Sequence, residues 1–175
     1  MLRRVKATVI ESPIGPLLSV VDDKGRLLRL DLPKGRTVAG LLRDVGALGR
    51  DQSAGRHVAR QIDQYFSGKL TEFDLQTAPA GTSFQLSVWQ MLERIPYGET
   101  WSYGELARRL QKPGAARAVG RANGTNPIAI VIPCHRVIGA NGTLTGYGGG
   151  LVTKQRLLDL ERAFTESIAP VNPRV

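Results

Sequence analysis

Cysteine occurs once in the 175 residues, at position 134, and histidine twice, at 57 and 135. One cysteine makes no internal disulfide and builds no thiolate zinc site, and two histidines add too few ligands for a dedicated metal centre. The composition therefore points to a reduced setting and to chemistry without a metal or cofactor. No apolar run reaches the ~18 residues that span a bilayer. The basic start, Met1-Leu2-Arg3-Arg4-Val5-Lys6, has no long apolar stretch behind it, because Glu11, Ser12 and Pro13 interrupt. A signal peptide and a membrane partner are thus not expected, and a cytoplasmic location is. Negative charge is also scarce: 15 acidic residues stand against 24 basic ones, for a net charge of +9. Between Trp101 and Arg156 lie Arg108, Arg109, Lys112, Arg117, Arg121, Arg136, Lys154 and Arg156 against Glu105 alone, so +7 of the +9 sits there. Such a concentration suggests a polyanionic partner, nucleic acid first.

What the chain does have is Ile132-Pro133-Cys134-His135-Arg136-Val137-Ile138. The only cysteine is beside one of two histidines, at the end of the apolar run Ile128–Ile132. That run reads as a buried strand. Thiolate is the reactive form of cysteine, and a neighbouring His or Arg favours it. Adjacent residues of a regular strand face opposite ways, so a local turn or a bridging water is needed for Cys134 and His135 to cooperate.

The rest of the chain divides near residue 80, giving expected domains of 1–80 and 81–175. Val5 to Ile10, Leu17 to Val21 and Leu27 to Leu32 read as strands, with a turn at Asp22-Asp23-Lys24-Gly25. Residues 37–52 are ambiguous. Residues 53–66 look helical, with Val58, Ile62, Tyr65 and Phe66 on one face and His57 as a structural or solvated side chain. Glu72 to Leu75 suggests a further strand, and Thr77 to Gly81 a linker. Beyond it, Thr82-Ser83-Phe84-Gln85 and Ser102-Tyr103-Gly104-Glu105 both read as capping boxes opening helices. A break at Lys112-Pro113-Gly114 and a helix over Ala115 to Gly124 complete a helix-turn-helix. That second helix is nearly all small residues, among them Ala116 and Gly120. It can approach a duplex closely but leaves only Arg117, Arg121 and Asn123 to read bases, which argues for weak sequence preference. Asn141-Gly142 marks a hairpin turn, and Tyr147-Gly148-Gly149-Gly150 a flexible loop. Thr153 is expected to cap a last helix, where Glu161 lies beside the apolar stripe of Leu157, Leu160 and Phe164. A carboxylate there needs a partner, either His135 or a surface arginine.

Pro133-Cys134-His135-Arg136 after an apolar run, Arg117-Ala118-Val119-Gly120 before Asn126-Pro127, and Gly146-Tyr147 before glycines resemble the alkylguanine-DNA alkyltransferase family. Phe84-Gln85, Val88-Trp89, Ile95-Pro96-Tyr97-Gly98 and Ser102-Tyr103 are similar to its other signatures. The likeness is close over residues 82–161 and looser before. It implies an α/β (α+β) fold, with an N-terminal ribonuclease-H-like antiparallel sheet domain and a mostly helical C-terminal domain carrying the helix-turn-helix. It implies transfer of an alkyl group from the O6 of guanine in double-stranded DNA to Cys134, with nucleotide flipping and a single turnover. His135 would act as base through a water, Glu161 would orient it, Asn126 would brace the turn, and Tyr103 would hydrogen-bond the flipped base. Arg117 would fill the gap in the stack, with Ala116, Gly120, Arg121 and Asn123 along the DNA. Tyr147, Gly148, Pro133 and Arg136 would form the substrate pocket. A monomer is expected, with several copies along DNA. Gly148 stands where mammalian members often have serine, so only a backbone donor remains there. The zinc that some members carry lacks ligands here. The main rival is a helix-turn-helix regulator without chemistry, which would bind one operator and be indifferent to Cys134; a second, a cysteine hydrolase using Cys134, His135 and Glu161, leaves the basic stripe without a reason.

Overall fold

A computed structural model describes residues 5–32, 37, 39, 40, 43 and 53–168. The first three strands, β1 (Val5–Ile10), β2 (Leu17–Asp22) and β3 (Leu27–Asp31), form an antiparallel sheet in that order. Register runs from Val5 opposite Asp22 to Ile10 opposite Leu17, and a bulge at Val20/Val21 bends β2 against β3. The turn at Asp22 forms because its carboxylate accepts from the Lys24 and Arg26 amides at 3.0 and 2.9 Å. Every residue of β2 is buried. Leu17 and Val21 face the main core, while Leu18 and Val20 join Ala7 in a smaller cluster on the other side.

Helix α1 (Arg56–Phe66) covers the sheet with Val58, Gln61, Ile62 and Tyr65. His57 Nε2 lies 3.2 Å from Gly25 O, so the histidine outside the Cys134 region is structural. The strand expected over Glu72–Leu75 does not form, because its backbone is engaged otherwise. Gln61 donates to Asp74 O and accepts from Asp74 N, both at 2.8 Å. This stretch meets the sheet at Thr77, as a bridge beside Leu27. The ambiguous stretch 37–52 lies almost wholly outside the described residues.

Helix α2 (Ser83–Leu92) opens on the full capping box: Gln85 N donates to Thr82 Oγ1 and Thr82 N to Gln85 Oε1. The second box is half formed. Ser102 caps α3 (Tyr103–Arg109), but Glu105 turns outward to Arg109 at 2.8 Å instead of reaching back. Helix α4 (Ala116–Gly124) follows after a tight break and packs on α2 and α3, completing the helix-turn-helix. Trp89 Nε1 donates to Ala122 O at 2.8 Å and locks α2 to α4.

The expected strand before Cys134 is absent. Residues 128–132 form turns, closed by Val131 N on Ala129 O and Ile132 N on Ile128 O, with Ile130 at φ +72°. Cys134–Arg136 is one turn of 3-10 helix, leading into β5 (Val137–Ile138). β5 pairs in parallel with β4 (Trp101–Ser102). Gly142 N donates to Gly139 O, making the expected turn, although no second strand returns from it. Helix α5 (Leu151–Ile168) starts two residues before Thr153. Lys154 N already bonds Gly150 O, so Thr153 lies inside the first turn and is not its cap.

One core runs through both halves, joining β2 and β3 to α1, α2, α3, α4 and α5. Among the described residues no helix is long and apolar enough to cross a membrane.

Candidate active site

The 3-10 turn decides the chemistry. Successive side chains diverge by about a third of a turn there. Cys134 points to a cleft, while His135 and Arg136 point back to α5. His135 Nε2 donates to Glu161 Oε1 at 2.7 Å. Arg136 grips the same carboxylate from Nε (2.9 Å, Oε2) and Nη2 (3.0 Å, Oε1), and spends Nη1 on Ile95 O at 2.7 Å. Gly98 N donates to Oε2 at 3.0 Å and Tyr65 Oη to Oε1 at 2.7 Å. Gly98 suits its place twice over. Its φ is +78°, and an added Cβ would lie 2.4 Å from Thr165 Oγ1. His135 and Glu161 are fully buried.

This arrangement fixes protonation states. Burial alone would raise the Glu161 carboxyl, but the hydrogen bonds and charges of His135 and Arg136 bring it down to about 2. Burial lowers His135, outweighing the pull of Glu161, so the imidazole is neutral near pH 7. Its Nδ1 is buried without a protein partner among the described residues, and it is the ring atom left to exchange a proton.

Asn126 shapes the approach to Cys134. Its Nδ2 donates to Ile128 O (3.3 Å) and Ile132 O (2.8 Å), and its Oδ1 accepts from Ile128 N (3.0 Å). Those bonds pin the loop in which Ile130 adopts a left-handed backbone. For a β-branched residue that costs roughly 1–2 kcal/mol and persists only under such constraint.

Cys134 borders a narrow cleft with Asn123, Asn126, Tyr147 and Gly148. Leu30, Asp31 and Leu32 of the N-terminal sheet close its far wall. The glycine loop comes close to that wall: a Cβ on Gly149 would lie 2.6 Å from Leu32 Cδ1. Tyr147 Oη and Asn123 Oδ1 are buried in this region without protein partners among the described residues. Burial and then the Cys134 charge push the Tyr147 phenol well above 10, so it stays a neutral donor.

The expected residues fall into three groups. Cys134, His135, Glu161, Asn126, Tyr147 and Gly148 come together around one centre. Asn123 joins them: it is turned inward, with Nδ2 3.4 Å from Cys134 O, and does not face a groove. Pro133 and Arg136 line a different cleft, on the side of Phe73 and Tyr97, because the 3-10 turn swings Arg136 onto Glu161. Arg117 and Arg121 are exposed one turn apart on α4, with Ala116 half-buried between α4 and the core. Gly120 faces Tyr103, whose ring would lie 3.6 Å from an added Cβ; Tyr103 itself, half-buried at the start of α3, is not part of the cleft wall.

The basic stripe is thinner than the sequence suggests. Arg136 and Lys154 are buried, and Arg109 stacks on Trp101 at 3.8 Å while pairing with Glu105. Arg108, Lys112, Arg117, Arg121 and Arg156 remain exposed. Lys154 is a site residue the sequence reading missed. Its Nζ donates to Val137 O (2.5 Å) and Thr145 O (2.8 Å), tying β5 and the loop to α5. Burial brings its ammonium down to about 8, against the opposing attraction of Cys134. A signal existed, since Lys154 lies seven residues before Glu161 on the same stripe. The role of Tyr65 was also missed, because the sequence gives no signal for what its hydroxyl bonds.

Residues 5–79 match the family described as 6-O-methylguanine DNA methyltransferase, ribonuclease-like domain, and residues 83–163 match its DNA binding domain. The chain is 54% identical over 153 residues to a methylated-DNA–protein-cysteine methyltransferase of Methanosarcina barkeri, covering 87% of this chain and 94% of that one. It is 50% identical over 159 residues to the protein of the same name from Mycobacterium tuberculosis, covering 88% and 90%. The fold is similar to crystal structures of the M. tuberculosis O6-methylguanine methyltransferase (TM-score 0.82, 48% identity, 91% and 93% covered). It is equally similar to that protein in complex with DNA (TM-score 0.82, 47% identity, 91% and 94% covered).

Proposed function

This chain belongs to the methylated-DNA–protein-cysteine methyltransferase family and repairs DNA by direct reversal, and on that premise we propose that Cys134 takes the alkyl group from O6 of guanine. One observation carries the assignment: the only thiol borders an open cleft while the adjacent histidine is locked, neutral, onto a buried carboxylate. His135 Nδ1 takes the thiol proton, through a water where the two side chains diverge. The thiolate attacks the alkyl carbon. The S–C bond forms as the C–O6 bond breaks, and the guanine leaving with that electron pair regains one proton. Glu161 holds the imidazole tautomer and supports its positive charge in passing.

An alkylated base inside a stack is out of reach, so the nucleotide is extruded into the cleft. Tyr147 and the Gly148 backbone border the base there, while Tyr103, packed beside α4 at Gly120 and outside the cleft wall, reaches the base only if its side chain turns toward the cleft. Arg117 enters the duplex in its place. The exposed arginines and Lys112 supply affinity without sequence preference. A regulator is disfavoured because Asn123 is turned into the cleft, leaving α4 few side chains to read base edges.

The direct test is intact mass and peptide mapping after mixing the protein with duplex holding one O6-methylguanine. The expected gain is one methyl group on Cys134 and none in Cys134→Ala. Methylation elsewhere would overturn the assignment.

Arg117 and Arg121 are predicted to act differently. Arg117→Ala slows repair in duplex more than in single strands, where little stacking is lost on extrusion. Arg121→Ala weakens binding to any DNA and lowers the salt slope by roughly one unit. Equal slowing of Arg117→Ala on both substrates would remove the intercalating role.

A further inference from the structure

We propose that Tyr65, on α1 of the N-terminal half, is a positioning residue of the transfer reaction, its hydroxyl holding the Glu161 carboxylate in line with His135. The proposal rests on the assignment of Cys134, His135 and Glu161 above. Tyr65 and Glu161 are both fully buried, 96 positions apart, and joined by a 2.7 Å hydrogen bond. The ring alone is a packing element, 5.2 Å from Phe66, 5.5 Å from Phe73 and 6.0 Å from Tyr97. A phenylalanine would fill that space equally well. The hydroxyl is needed only for the carboxylate. Tyr97, edge-on to it, shows the contrast: its buried hydroxyl has no partner among the described residues.

The position of the bond gives it a chemical effect. Oε1 receives Tyr65, His135 Nε2 and Arg136 Nη2 together. Tyr65 stays protonated across the working range, because burial and the Glu161 charge push its phenol well above 10. It is thus a fixed donor that takes up part of the negative charge His135 would otherwise face. The groups facing Glu161 are Tyr65 from α1, Tyr97 after α2, and His135 and Arg136 from the 3-10 turn. Those facing His135 are Glu161 and Lys154 from α5, Arg136, and Tyr147 from the glycine loop. Lys154 and Arg136 oppose the imidazolium, and Glu161 favours it. Removing the Tyr65 hydroxyl shifts this balance toward Glu161, and so raises the pH at which His135 loses its proton and becomes a base.

The experiment measures single-turnover transfer from methylated duplex against pH for the wild type, Tyr65→Phe, Tyr97→Phe and Glu161→Gln. DNA affinity is measured alongside. Tyr65→Phe is expected to lose about tenfold in plateau rate, the worth of one hydrogen bond to a charged group. Its acid-side midpoint is expected to move up, with unchanged DNA affinity. Tyr97→Phe should match the wild type. Site-specific 3-fluorotyrosine at 65, a stronger donor, should move the midpoint down and keeps the test open if the phenylalanine variant folds poorly. A Tyr65→Phe midpoint equal to wild type, with Glu161→Gln still slow, would reduce Tyr65 to packing and leave the relay intact. Wild-type kinetics in Glu161→Gln would overturn both.

Discussion

Limiting protein incubated with excess methylated duplex is expected to release one methyl group per chain and then stop. The reason is the bond that Cys134 forms. An acyl-enzyme is hydrolysed because water adds to its carbonyl, whereas a methyl thioether offers no such carbon and a thiolate leaves it poorly. The chain has no second cysteine to accept the group. Among the described residues no cluster of three His, Cys, Asp or Glu side chains is built to hold a metal that could activate a displacing nucleophile. The methylated product should also be less stable. Cys134 is only 6% exposed, and an extra methyl in a packed site typically costs ~1–3 kcal/mol. Counting groups removed per active protein, with a melting curve before and after, checks both parts. More than one group per chain without an added reductant would end the account of Cys134 as a one-use acceptor.

Glu161→Gln is expected to produce the second largest effect, on rate and stability together. Glutamine keeps the shape but loses the charge that supports the His135 imidazolium, and general-base assistance of this kind is worth on the order of 10²-fold. DNA affinity should hardly change, since Glu161 is fully buried. The same substitution leaves the Arg136 guanidinium buried without its counter-charge, and breaking one side of such a pair costs about 3–5 kcal/mol. Acid should then reveal the difference. Glu161 is lowered from 4.5 to about 2 in the fold, so its contribution is complete above pH 4.5 and is lost as pH falls through about 2. His135 is lowered from 6.5, so it too costs stability as pH drops below 6.5 and the unfolded chain takes up a proton that the fold refuses. The gap between wild type and Glu161→Gln should therefore be full above pH 4.5 and narrow as pH falls below it. Urea unfolding from pH 7 to 3 measures it. A gap that does not change with pH would show that Glu161 carries no excess charge stabilisation.

The sheet, α1, α2 and the helix-turn-helix were legible because each is set by short-range patterns: alternation, capping residues, glycine breaks. The errors came where a distant partner overrode the local pattern. Ile128–Ile132 has the composition of a strand, yet Asn126 claims the carbonyls of Ile128 and Ile132 and folds the run into turns. Glu72–Leu75 loses its strand to the side chain of Gln61. Glu161 was recognisable as a carboxylate in need of a partner, but Tyr65 was not, because a phenol on an apolar face looks like core until its hydroxyl is located. The arginine count could not separate Arg136, buried on Glu161, from Arg117 at the surface. Periodicity does not say which charges a fold encloses.

The outer edge of β3 pairs with two stretches made at very different times. Leu27 bonds to Gln76 and Ala78, while Leu30 bonds to Pro127 and Ala129. During synthesis the first partner appears within about 50 residues of Leu27, but the second lies about 100 residues after Leu30. At ~5–20 residues per second, that half of the strand edge waits about 5–20 s for its mate. An open edge on a nascent sheet is a template for pairing with other chains. The newborn chain is therefore most vulnerable to aggregation just before the loop bearing Cys134 leaves the ribosome. The reactive thiol is assembled by the same stroke that seals the edge.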